Sequence, residues 1–142
     1  MSKVRLALNE NVPGCKNFTW KEVLYLPQWK IHAFPTPAQY QNLIFTVSRL
    51  ELIRKYIGLP IQITSGLRPD VYNKLVGGAR WSAHVTGDAV DFSIRNLKAD
   101  RVREILEPIL ADFKIRMEKL PDSNWVHIDT RAPGVSGRYF YP

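Results

Sequence analysis

Apolar residues recur along this chain with two different periods, and the change of period marks its elements. Tyr40, Leu43, Ile44, Val47, Leu50 and Ile57 fall on one face at helical spacing. Thr36-Pro37-Ala38-Gln39 ahead of them is a capping box with proline at the first helical position. Gly58 and Pro60 stop the helix. Its stripe reads as core, not as a ligand groove. A second helix is expected over roughly residues 98–113, where Val102, Ile105, Leu106, Ile109, Leu110 and Phe113 repeat at i, i+3, i+4 and i+7. Pro108 should kink it, because proline removes a backbone donor and clashes with the preceding turn.

Elsewhere the period is two. Ile61 to Thr64 reads as a short strand running into the turn Ser65-Gly66-Leu67-Arg68-Pro69. From Ala89 to Ile94, Val90, Phe92 and Ile94 share one face, which leaves Asp91 on the other. Residues 114–118 alternate charged and apolar, Pro121 to Asn124 signals a turn, and Trp125 to Thr130 returns as a strand. On that strand Trp125, His127 and Asp129 share a face.

The remaining segments carry weaker patterns. Residues 1–35 read as a loosely ordered entry segment, with a short helix from Trp20 to Leu26 capped by Thr19 and ended by Pro27. Trp20, Leu24 and Trp29 are expected to cover one side of the core. A brief helix fits residues 70–75, a Gly-rich loop follows over 77–82, and the tail from Ala132 reads as ordered coil. The order of elements predicts an α+β fold with a small, mostly antiparallel sheet. One domain over 1–142 is expected, its core spanning 36–131.

Composition narrows the chemistry. A chain of 142 residues buries a core without needing disulfides or a structural metal. Cys15 is the only cysteine, which excludes an intramolecular disulfide and a four-thiolate zinc site. The net charge of +7 reads either as a solvated basic surface or as a preference for an anionic partner, such as a cell-wall polymer. No nucleic-acid motif accompanies it, so no nucleic-acid partner is expected. The N-terminus lacks the apolar run of a signal peptide, and no stretch approaches the ~20 apolar residues of a membrane span. Cytoplasmic synthesis as a monomer is expected.

Two short segments carry the chemistry. Ser82-Ala83-His84-Val85-Thr86-Gly87-Asp88-Ala89-Val90-Asp91 and Trp125-Val126-His127-Ile128-Asp129 hold two imidazoles and a carboxylate between them. His84, Asp91 and His127 would make a three-ligand zinc set, the number that leaves a fourth place open in catalytic sites. Taken alone, a strand histidine beside tryptophan is more often a packed core residue. His84 and Asp91 are seven residues apart and need a turn at Gly87 to meet.

The words Ser-x-His-x-x-Gly-x-Ala-x-Asp and Trp-Val-His-Ile-Asp resemble the zinc peptidases of bacterial peptidoglycan. That family includes D-Ala-D-Ala carboxypeptidases and dipeptidases and phage L-alanyl-D-glutamate endopeptidases. The resemblance extends from about Leu50 to Thr130 and takes in Ile-Gln-Ile-Thr-Ser-Gly-Leu-Arg, Asn73 and Val-Gly-Gly-Ala. It implies a Hedgehog-like or D-Ala-D-Ala-peptidase-like fold, Zn2+ held by His84, Asp91 and His127, and Arg68 in the active site. Arg68 would then offer its fork of donors to an oxyanion or a substrate carboxylate. The implied substrate is a peptidoglycan peptide. The implied setting is the cell wall, reached after phage-type release or as a virion-associated protein.

One departure stands out. Much of that family carries an acid three residues before the last histidine, as general base, and here that residue is Asn124. Asp129 is the expected replacement, with Asp122 second. Asp129 has an alternative role as an acceptor that orients an imidazole. Ser82 is a candidate for a hydrogen bond near the metal, and Trp81 and Trp125 either wall the cleft or pack in the core. Three rival readings remain: a non-haem iron oxygenase, which the seven-residue spacing disfavours, a binding module on the same fold, and a virion structural protein.

Overall fold

The computed structural model describes residues 2–142. Its element order is α1 (Trp20–Leu24), β1 (Tyr25–Leu26), β2 (Ile31–His32), α2 (Pro37–Ile57), β3 (Gln62–Ser65), α3 (Asp70–Leu75), β4 (Ala89–Ser93), α4 (Ala99–Leu106), β5 (Arg116–Glu118), β6 (Val126–Asp129) and β7 (Tyr139–Phe140). The fold is α+β. Strands β3-β4-β6-β5-β7 form one sheet in that order. Every pair in it is antiparallel except β5 with β7. Among the described residues no helix is long and apolar enough to cross a membrane.

Helix α2 starts and stops where its sequence predicts. The Thr36 hydroxyl accepts from the Gln39 N–H at 3.2 Å, and the Gln39 side chain accepts from the Thr36 N–H at 2.9 Å. Gly58 closes the helix in the left-handed region at φ 77°, its N–H donating to the Arg54 carbonyl. Leu43, Val47, Leu50 and Ile53 are fully buried along one stripe.

The sheet divides its side chains by alternation. Val90 and Phe92 of β4, Val126 and Ile128 of β6, and Met117 of β5 are buried in one cluster with α2 and with Val102 and Leu106 of α4. Removing each such side chain from water contributes ~1.5–3 kcal/mol. Asp91, His127 and Asp129 alternate with these residues on the same strands, and so lie on the face away from the helices.

Four segments differ from the sequence reading. The entry segment is not loose: Val12, Cys15, Phe18, Trp20, Val23, Leu24 and Leu26 are all buried core residues. Trp29, expected beside them, is 39% exposed. Helix α1 ends at Leu24, because Tyr25 and Leu26 pair with Ile31 and His32 as a hairpin. Pro108 does not kink a long helix. Helix α4 ends at Leu106, and Glu107–Ile109 tightens into a 3-10 turn around the proline. The tail is not all coil, since β7 adds to the free edge of β5 with Met117 opposite Tyr139.

Candidate metal centre

Two ligand candidates come from neighbouring strands. Asp91 on β4 lies directly opposite His127 on β6 in the antiparallel register. The third is delivered by the loop between α3 and β4, and α2 holds that loop in place. Gln39 donates to the Val85 carbonyl at 2.9 Å, Asn42 to Thr86 at 3.0 Å and Thr46 to Gly87 at 3.0 Å. Gly87 has φ 81°, and a β-carbon there would lie 2.9 Å from the Gln39 carbonyl oxygen. Only glycine gives the turn and the close approach together.

The three side chains converge. One ligand atom from each of His84, Asp91 and His127 lies within 4.8 Å of the other two. His84 Nε2 is 3.1 Å and His127 Nδ1 is 2.8 Å from the same oxygen, Asp91 Oδ1. All three residues are buried.

The far nitrogen of each imidazole is anchored as well. His84 Nδ1 donates to the Gly66 carbonyl at 2.8 Å. That carbonyl is itself fixed, because the chain just past β3 runs so close to α1 that a β-carbon on Gly66 would lie 2.1 Å from the Val23 oxygen. His127 Nε2 donates to Asp129 Oδ2 at 3.1 Å. These bonds set the tautomers, leaving His84 Nε2 and His127 Nδ1 as the lone pairs that face each other across Asp91. The donor set and its tautomers fit a zinc ion.

Asp129 is saturated. Arg116 grips it through both oxygens, Nε to Oδ1 at 2.7 Å and Nη2 to Oδ2 at 2.9 Å. The Arg131 N–H adds a bond to Oδ1 at 3.2 Å. With His127 that makes four donors, about the full capacity of a carboxylate. Its exposure is 1%. Burial alone would raise its pKa, but the bonds from His127 and Arg116 outweigh burial and hold it below the usual carboxylate range.

The same balance applies to the ligands. Burial raises the pKa of Asp91, yet the His84 and His127 imidazoles hold it far below the ordinary value. Burial lowers that of His127, yet Asp129, Asp91 and Glu118 push it up to about 9. In the metal-free protein a proton on His127 therefore occupies the place a cation would take.

Arg68 lies in the cleft and touches the metal set. Nη2 donates to Asp91 Oδ2 at 3.2 Å and Nε to Ser65 Oγ at 2.9 Å, with Asn73 Oδ1 at 3.5 Å from Nη1. Asn73 is buried and also ties the loop through the Ala79 carbonyl at 2.9 Å. The cleft is lined by these groups and by Ser82, Glu118 and Trp125. Ser82 accepts the His84 N–H at 3.2 Å, so it shapes the loop. Trp81 is 78% exposed and is not a core residue; it lines a separate pocket with Asp70, Lys74 and Arg80. Asp122 and Asn124 face elsewhere, in a groove shared with Asn96 and Asp100.

Three contributors were not anticipated from sequence. Arg116 and Glu118 sit on β5, and their alternation with buried Met117 was visible without showing which face it served. Buried Arg103 holds the Trp125 carbonyl at 2.9 Å and so anchors the β5–β6 turn. Nothing in the helical pattern of α4 singled it out.

No curated protein matches the chain. A solved structure, the L-Ala D-Glu endopeptidase ChiX of Serratia marcescens, is similar at 18% identity, covering 66% of this chain and 86% of that one with a TM-score of 0.45. The profile of the Peptidase M15 family matches residues 16–129, a span that takes in β3 to β6 with Arg68, His84, Asp91, His127 and Asp129, and the chain belongs to that family.

Proposed function

We propose that this chain is a zinc-dependent peptidase that hydrolyses a peptide bond in the stem or cross-link peptides of bacterial peptidoglycan. The observation that carries the reading is the convergence of His84 Nε2, Asp91 Oδ1 and His127 Nδ1, with both far nitrogens anchored. Membership of the M15 peptidases supports it, and the +7 charge suits an anionic wall polymer.

Bound zinc would polarise the scissile carbonyl and make water acidic near neutral pH. The protein supplies the rest. Arg68 holds Asp91 in its ligand geometry, and the N–H groups it turns to the cleft stabilise the oxyanion or a substrate carboxylate. Of the two roles open to Asp129 from sequence, we assign the orienting one. Its four bonds leave no lone pair for a proton, whereas its bond to His127 Nε2 fixes the ring. Trp125 walls one side of the cleft.

The test is to incubate purified protein with zinc and muropeptides and identify products by mass. New peptide termini that disappear with chelator support the reading and name the bond. Zinc binding without any cleavage would replace it with a wall-binding role.

A further inference from the structure

A hydrolytic peptidase must move a proton from the attacking water to the leaving amine, and a carboxylate near the metal usually carries it. Asp129 is saturated, Asp91 is a ligand, and Asp122 faces another groove. Among the described residues one side-chain carboxylate remains in the cleft.

Resting on the peptidase reading above, we propose that Glu118 is the catalytic proton carrier of this site. Register places it there. Strand β5 pairs with β6 through Arg116 opposite Asp129 and Met117 opposite Ile128. Met117 points into the core at 0% exposure, so Arg116 and Glu118 project to the metal face. Arg116 spends its fork on Asp129. Glu118, one step beyond Met117, stands beside His127, with an oxygen 3.7 Å from Nε2. That distance exceeds a hydrogen bond, and the Nε2–H is already given to Asp129.

Among the described residues, Glu118 is thus the one side-chain carboxylate lining the cleft with open lone pairs. Its side chain is 21% exposed, and no hydrogen bond reaches it among the described residues. Its backbone is fixed on the other side, where Glu118 pairs with Phe140 and the Lys119 N–H donates to the Phe140 carbonyl at 2.6 Å. A rigid strand therefore presents a carboxylate with no hydrogen-bond partner to the cleft that His84, Asp91, Arg68 and His127 line.

The step balances as a hydrolysis. Glu118 takes one proton from water as the water oxygen bonds to the carbonyl carbon, and the carbonyl π pair moves onto oxygen beside Arg68. When the oxyanion pair reforms the C=O bond, the C–N bond breaks and Glu118 returns its proton to the departing nitrogen. The second water proton leaves the new carboxyl group to solvent. Glu118 ends as it began.

The experiment compares wild type with Glu118→Gln, which keeps size and polarity but cannot carry the proton. Cleavage of muropeptides by the zinc-loaded proteins is read by mass, and zinc affinity is read separately by chelator competition. Expected are a rate loss of roughly 10²–10⁴-fold, a loss of zinc affinity well short of the roughly 10–100-fold seen when a group that orients a ligand is removed, and an unchanged melting temperature. Full activity in Glu118→Gln overturns this proposal while the peptidase reading stands. Zinc loss in Glu118→Gln also overturns it, since the residue would then act through His127. A zinc-loaded wild type that cleaves nothing overturns the peptidase reading and this proposal together.

Discussion

Strands β4 and β6 serve two regions that obey different rules. Toward the helices, Val90, Phe92, Val126 and Ile128 are held by burial alone, which is non-directional and tolerant of small changes in shape. Toward the cleft, Asp91, His127 and Asp129 are equally buried but hold together only through directed bonds, each partner fixing the next. Removing a group from the first face leaves a cavity. Removing one from the second leaves charges without partners. The same backbone thus supplies stability on one side and a charge-dense, preorganised site on the other.

Substitutions that separate the two faces should therefore have distinct signatures. The largest effect is expected at His127→Ala, which leaves two ligands. Bound zinc, measured by elemental analysis, should fall from about one equivalent to near none, since two ligands seldom retain a catalytic metal. On the opposite face Phe92→Ala should cost ~3–5 kcal/mol in chemical denaturation, with zinc still bound by whatever fraction remains folded. Arg68→Ala should lower turnover at saturating zinc by roughly 10²–10³-fold, the scale of a lost oxyanion donor, with zinc affinity weakened by no more than about 10–100-fold through the lost bond to Asp91. Unchanged turnover would confine Arg68 to holding Asp91. Asp129→Asn should weaken zinc by about 10–100-fold in chelator competition and regain activity at saturating metal. If it stays inactive with zinc bound, Asp129 is the proton carrier after all.

The smallest expected effect is one of pH. In the metal-free protein the pKa of His127 is raised from 6.5 to about 9. The folded state holds that proton more tightly than the unfolded chain does. The resulting stability is complete below about pH 6.5 and is lost as pH rises through about 9. Chelator-treated protein should therefore melt several degrees lower at pH 9.5 than at pH 6.5. The zinc-loaded form should show a flatter profile, because the metal replaces the proton.

The parts of the fold legible in sequence were those fixed by near neighbours. The Thr36–Gln39 capping box, the Gly58 stop and the alternation through Val90, Asp91 and Phe92 are local, and each holds in the structure. The parts that were not legible depend on distant pairing. Tyr25 and Leu26 look like the end of a helix until Ile31 and His32 fold back on them. The Tyr139–Phe140 strand exists because β5 offers an open edge. The convergence of His84, Asp91 and His127 was legible because their residue types and spacing resemble a family's. The carboxylates around it were not, because their roles turn on register. A seven-residue connection between Glu118 and Val126 does not fix which β5 residue faces His127. Once Arg116 is known to oppose Asp129, the occupied and the open carboxylate follow.

The central claim is that the polar face of β4 and β6, with the loop that α2 holds, is built around one metal ion. The most direct test is a crystal structure of zinc-loaded protein with anomalous data at the zinc edge. One peak is expected, bonded to His84 Nε2, Asp91 Oδ1 and His127 Nδ1 at about 2.0–2.2 Å. No peak among these atoms, or a zinc held instead through His127 Nε2 with Asp129 or Glu118, would contradict it.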